Sequence, residues 1–170
     1  MRSRGILCLE SPPGRQRDRH DDLIVRCYCF RSMPVEVAPD PKQLEFLLGK
    51  PRLFGKLASI HFGDGWPHVT PLWTMYDPLT KRFIASVMDT TVKAKNVKKD
   101  SRVALLIDSG VKYVLVKGTA KINEAGAAKS TERLAVWYLG EEAGKKEAAR
   151  ILQRKHIAIE IIPLRITSQL

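Results

Sequence analysis

Apolar and polar residues alternate in short runs along most of this chain, and the runs are divided by Gly, Asp and Pro rather than by long helical stretches. LFGKLASIHF, PHVTPLWTMY and RFIASVM, separated by GDGW and DPLTK, read as strand, hairpin turn, strand, turn, strand. RVALLID and VKYVLVKGTAKI follow as two more strands joined by a tight turn at Ser109 and Gly110, with Val103, Leu105 and Ile107 on one parity. HIAIEII is a sixth strand, and Pro163 with LRITS continues it as an extended tail. In the second strand Val69, Pro71, Trp73 and Met75 share one face and His68, Thr70, Leu72, Thr74 and Tyr76 the other, as one packed and one more polar face require. Pro71 has no N–H to give to a ladder, so this strand must lie at an edge or carry a bulge.

Helical periodicity is confined to three places. Asp40, Pro41 and Gln43 form an N-cap, a first-turn proline and a capping-box partner ahead of Leu44, Phe46, Leu47 and Leu48, predicting a short helix that stops at Gly49. Residues 126 to 154 are rich in Ala, Glu, Lys and Arg, with Leu134, Trp137, Tyr138, Ile151 and Leu152 at helical spacing, and predict a helix pair interrupted near Gly140 and Gly144. A third short helix is signalled by TTVKAKNVKKD. Six strands with few helices predict a mainly β fold, a small antiparallel barrel that is closed or nearly closed, with flanking helices.

At 170 residues and 44% hydrophobic content the chain suffices for one core, assigned here to a domain over 33–170. Cys8, Cys27 and Cys29 all fall in residues 1–32, a leader with Arg but no Lys and a Pro-Pro-Gly break, which reads as a disordered or mispredicted extension ahead of Met33. Cys27 and Cys29 have the wrong spacing for a zinc knuckle and no second ligand pair, so no metal is expected. No apolar run approaches the roughly 18 residues of a membrane span, and the N-terminus lacks the apolar core of a signal peptide. The expectation is a soluble, cytoplasmic protein. The formal charge of +11 favours an anionic partner without saying which one.

The familiar catalytic and nucleotide signatures G-x-S-x-G, H-E-x-x-H, the P-loop and the Gly-rich dinucleotide fingerprint are all missing. His61 and His68 flank the first hairpin with Asp64 in its turn, but no third ligand or orienting group accompanies them. The lysine segment is more telling. With Thr90 or Thr91 as N-cap, Lys93 falls in the first helical turn, where the helix dipole disfavours a cation, and Lys95 with Lys99 forms a like-charge i, i+4 pair. An anion would reverse both penalties, because it would receive backbone N–H groups, threonine hydroxyls and an ammonium together. Lys95, Lys98 and Lys99 taken singly read as a solvated face.

These residues carry a resemblance. Trp66-Pro-His-Val-Thr-Pro-Leu-Trp73, then Lys93, Asn96, Arg102 and Val103 in order, then Gly118-Thr-Ala120, resemble the flavin-binding split-barrel proteins related to pyridoxamine 5′-phosphate oxidase and their deazaflavin-using relatives. The likeness spans roughly residues 44 to 167, and departs from the common pattern at Trp66 and Ser101. It implies a six-stranded antiparallel split β-barrel that works as a homodimer, with the flavin ring along the second strand and its phosphate at the helix after the third. Carried over by position, His68, Val69, Thr70, Pro71, Leu72 and Trp73 would border the ring. Ala85 and Ser86 would line the ribityl chain, Thr90, Thr91 and Lys93 would hold the phosphate, and Asn96 would brace the loop.

The implied function is an FMN-binding oxidoreductase transferring a hydride to or from an unknown small substrate, with the deazaflavin coenzyme as the alternative. A flavin accounts for the missing catalytic residues, since the cofactor carries the chemistry. Pyridoxamine 5′-phosphate itself fits poorly as substrate, because the C-terminal tryptophan and arginine region of those enzymes has no counterpart in ITSQL. Readings of other classes are a flavin carrier or sensor without turnover, and a basic barrel for single-stranded nucleic acid. Against the last, the lysines cluster on one short element.

Overall fold

A computed structural model describes residues 35–170; Cys8, Cys27, Cys29 and the proposed leader boundary lie outside the described residues. The elements run α1 (Pro41–Leu48), β1 (Gly55–Ile60), β2 (Pro67–Leu72), β3 (Thr74–Asp77), β4 (Arg82–Met88), α2 (Val92–Lys99), β5 (Arg102–Ser109), β6 (Lys112–Asn123), α3 (Ala127–Leu139), α4 (Glu141–Ile151) and β7 (His156–Gln169). They form a mainly β fold built on one seven-stranded antiparallel sheet in the order β2-β1-β5-β6-β7-β4-β3. Its two outer strands are consecutive in sequence and separated only by Trp73. The sheet therefore curls until its edges meet at that residue.

This break is the main departure from the six expected strands. The stretch PHVTPLWTMY splits because β2 pairs with β1 while β3 pairs with β4 at the opposite edge. Pro71 cannot extend the ladder, as an edge position allows. Beyond it, Thr74 is gripped by the Tyr138 hydroxyl, which accepts from the Thr74 amide at 3.2 Å and lies 2.9 Å from its carbonyl oxygen. A second departure is β7, whose second half was expected only as a tail. It runs on through Pro163 and pairs with β6 as far as Gln169. The proline is accommodated opposite Gly118, where the register shifts, and a Cβ on Gly118 would sit 2.2 Å from the Ile162 carbonyl oxygen.

Alternation sends Leu57, Leu105, Val114, Val116, Phe83, Ile157, Ile159 and Ile161 inward to a fully buried core, with Ala94 and Val97 of α2 packed against it. In β2 and β3 the packed parity is Leu72, Thr74 and Tyr76, while Val69 stays 62% exposed and Pro71 faces outward. The apolar outer face of this strand has no cover among the described residues.

The capping box at α1 forms as anticipated, with the Asp40 carboxylate accepting from the Gln43 amide at 2.9 Å and the Gln43 side chain accepting from the Asp40 amide at 3.0 Å. Gly140, at φ +84°, separates α3 from α4. Gly144, by contrast, does not interrupt anything. It lies inside α4, where a Cβ would meet the Val136 backbone at 2.5 Å, so its role is close packing of the two helices.

Candidate functional site

The site is assembled where β4 turns into α2. Thr91 occupies the N-cap position, but its hydroxyl donates backwards to the Met88 carbonyl at 2.8 Å and makes no capping bond to the helix. The N–H groups of the first turn are thus left without a side-chain acceptor. Thr90 is exposed and Lys93 half-buried, with no carboxylate partner for Lys93 among the described residues. Burial pushes the Lys93 ammonium below its ordinary pKa. A partly desolvated cation with no counter-ion at a helix start is electrostatically unsatisfied from two directions.

The other lysines of α2, Lys95, Lys98 and Lys99, are exposed as expected, and two of them also touch the β1–β2 hairpin. Lys99 donates to the Phe62 carbonyl at 2.8 Å, and the Lys95 ammonium stands 5.7 Å from the Phe62 ring centroid. These contacts with the β1–β2 hairpin offset part of the like-charge repulsion. Asn96, fully buried, accepts from the Phe62 amide at 2.9 Å and donates to the Ser59 hydroxyl at 2.9 Å. It braces the loop.

Through this brace α2 is fixed against the hairpin that leads into β2. His68 follows the turn, its Nδ1 buried with no hydrogen-bond partner among the described residues. His61 is held apart by Asp64, 2.8 Å from its Nδ1, and its ring centroid is 6.4 Å from that of His68. The Trp66 amide and His61 together hold the Asp64 carboxyl below its ordinary range. No group of three or more metal-ligating side chains occurs among the described residues.

Of the other predicted contacts, Thr70 is half-buried, Leu72 points into the core, and Trp73 is partly exposed with its ring stacked on Tyr138 at 5.0 Å and 9°. Ala85 is not brought to an open face by its side chain, and Ser86 is only half-buried. Ala85 is fully buried between Thr74 and Ile159 in the sheet, and the Ser86 hydroxyl is 2.6 Å from that of Thr131 in α3.

The sequence reading passed over a large cleft on the α3 side. About 840 Å³ in volume, it is walled by Arg52, Phe54, Trp73, Trp137 and Tyr138 and includes none of the lysine segment. Arg52 sits 3.4 Å above the Trp137 ring and Phe54 stacks on Tyr138 at 5.4 Å. Only the spacing of Trp137 and Tyr138 on a predicted helix pointed here, since their partners in segment 50–54 come from far upstream.

The chain matches the family model described as pyridoxamine 5′-phosphate oxidase over residues 40–167. No curated protein matches it. Among solved structures, a conserved hypothetical protein from Mycobacterium tuberculosis is 20% identical with a TM-score of 0.63, covering 81% of this chain and 88% of that one. An F420 reductase is 22% identical with a TM-score of 0.57, covering 76% and 98%. A putative pyridoxamine 5′-phosphate oxidase from Listeria innocua is 21% identical with a TM-score of 0.52, covering 75% and 95%. At these identities the likeness is one of fold.

Proposed function

Because the chain belongs to the pyridoxamine 5′-phosphate oxidase family, we propose that it binds FMN and acts, as a homodimer, as an oxidoreductase on a small organic substrate. The observation that carries this reading is Lys93, a half-buried ammonium without a counter-ion among the described residues, at a helix start whose N-cap hydroxyl is turned away. A phosphate monoester supplies what that position lacks, an anion with several acceptor oxygens. In this reading Thr90, Lys93 and the free N–H groups of the first helical turn hold the phosphate, and Thr91 joins them only if its hydroxyl turns away from the Met88 carbonyl.

The ring would lie along the outer face of β2, where Val69 and Pro71 are uncovered among the described residues. Those features fit a flat, amphipathic ligand seated on a strand edge. Bound there, a flavin supplies hydride transfer at its N5. The protein's own tasks are to bind the phosphate, keep β2 in register with α2 through Asn96, and exclude water from one face of the ring. Ala85 and Ser86 enter only as the strand that carries the chain to this seat. Their side chains are committed to the core and to Thr131.

A deazaflavin coenzyme is the second reading, favoured by the spacing of Lys93, Asn96, Asp100, Arg102 and Val103 and by the fold shared with an F420 reductase. The absorption spectrum of the purified or reconstituted protein separates the two. Bands near roughly 370 and 450 nm are expected for oxidised FMN and a band near about 420 nm for the deazaflavin. A colourless protein that reconstitutes with neither refutes both.

A further inference from the structure

The geometry points to the cleft between α3 and segment 50–54 as the substrate side of this site, shaped for a flat, multi-ring aromatic carboxylate. The assignment rests on the flavin reading for the word substrate, while the binding chemistry stands on the cleft alone. Three observations set the class.

The first is size. About 840 Å³ lies towards the upper end of ordinary ligand pockets, which run from roughly 300 to 1,000 Å³, and favours several fused rings over one. The second is the wall. Trp73 and Phe54 both stack on Tyr138, at 5.0 and 5.4 Å between centroids, so the aromatic surface offered to a ligand is that of Phe54, 54% exposed, and of the half-exposed Trp73, with Leu139 at the rim 46% exposed. Faces of this kind bind planar π-systems by offset stacking.

The third is charge. Lys50, Arg52 and Arg133 line the cleft and no carboxylate does. Arg133 is matched by Asp77, 3.0 Å away, but Lys50 and Arg52 have no carboxylate partner among the described residues. Arg52 is also fixed in place. It donates to the Leu48 carbonyl and, at 2.8 Å, to the Gly49 carbonyl at the end of α1, while its guanidinium lies on Trp137. A pre-positioned cation beside an aromatic wall selects an anionic group at one end of a flat body. Trp73 belongs to this wall and directly follows β2, so a ligand in the cleft would lie next to the strand proposed for the flavin.

The test uses the flavin-loaded full chain titrated calorimetrically with 2-naphthoate, its neutral isostere 2-naphthamide, and benzoate. Naphthoate should bind about tenfold more tightly than naphthamide and than benzoate, the first from charge-assisted hydrogen bonding and the second from the lost ring. Arg52→Gln should abolish the preference for carboxylate over amide, and Arg52→Lys should keep most of it. Because Arg52 also caps α1, Leu139→Trp provides an independent arm at the exposed rim. It should weaken naphthoate and naphthamide alike by about tenfold or more through filling the cleft. Flavin absorbance should be the same in all variants. Equal affinity for naphthoate and naphthamide in the unmodified protein, or undiminished naphthoate binding in Leu139→Trp, overturns the assignment. Naphthoate binding as described by a protein that takes up no flavin would instead refute the cofactor reading and leave the cleft standing.

Discussion

The side-chain amide of Asn96 donates to the hydroxyl of Ser59 at 2.9 Å, joining α2 to β1 across residues that are both almost wholly buried. Its carbonyl oxygen also accepts from the Phe62 amide, so one side chain fixes the helix of the phosphate seat against the hairpin that opens β2. Asn96→Ala should leave the Ser59 hydroxyl and the Phe62 N–H without partners and cost about 2–4 kcal/mol, measurable by urea denaturation. FMN affinity should fall with it although Asn96 touches no ligand in this reading. Wild-type stability in the variant would mean that packing of Ala94 and Val97 alone holds α2.

The lysines of α2 should separate in a binding assay. Lys93→Ala is expected to weaken FMN by about 10- to 100-fold, since it removes a charge-assisted contact to phosphate. Lys98→Ala should stay within about twofold, as expected of an exposed charge. Riboflavin, which lacks the phosphate, should bind both variants as it binds the unmodified protein. Equal losses from the two substitutions would indicate a diffuse basic surface instead of a seat.

The same lysine predicts a pH dependence with two opposite signs. Burial lowers the Lys93 pKa in the free fold, so between that lowered value and the ordinary 10.5 the unfolded chain holds a proton that the fold has released. Stability of the free protein should therefore gain a contribution as pH rises through this window. FMN binding should do the reverse, because the phosphate interacts with the ammonium and loses it as Lys93 deprotonates. The phosphate itself is fully ionised above pH ~7, its second pKa being about 6. A titration of FMN affinity from neutral to alkaline pH should fall in the unmodified protein and stay flat in Lys93→Met. A flat profile in both removes Lys93 from the seat.

Local rules were legible where they act over a few residues. The capping box at Asp40 and the edge position of Pro71 follow from residues that satisfy or withhold a neighbouring backbone group, and α2 starts at Thr91 as expected although its hydroxyl makes no cap bond. What sequence did not disclose involves partners distant along the chain. Lys95 and Lys99 are exposed as expected, but their contacts with Phe62 come from the hairpin, and the aromatic cleft exists only because α3 lies against segment 50–54. The parity of β2 likewise misleads by composition. Its polar-looking side packs inward, since Thr74 satisfies its hydroxyl on the Ile84 carbonyl at 3.1 Å, leaving Val69 outside.

The break at Trp73 gives the final prediction. Two features could end β2 there, the missing N–H of Pro71 and the grip of Tyr138 on Thr74. The Tyr138 hydroxyl donates to the Leu53 carbonyl at 2.7 Å while accepting from the Thr74 amide, and burial raises its pKa, so it stays a neutral donor through physiological pH. Tyr138→Phe keeps the ring stacks with Trp73 and Phe54 but removes these bonds, and should cost about 1–3 kcal/mol. Hydrogen exchange at the Thr74 amide should speed up in this variant. Pro71→Val, which restores an N–H to the strand, should leave the exchange of Thr74 unchanged, because the opposite pairings of β2 and β3 follow from the hold on Thr74 and not from the proline. Unaltered Thr74 exchange in Tyr138→Phe, together with a change in Pro71→Val, would assign the break to Pro71.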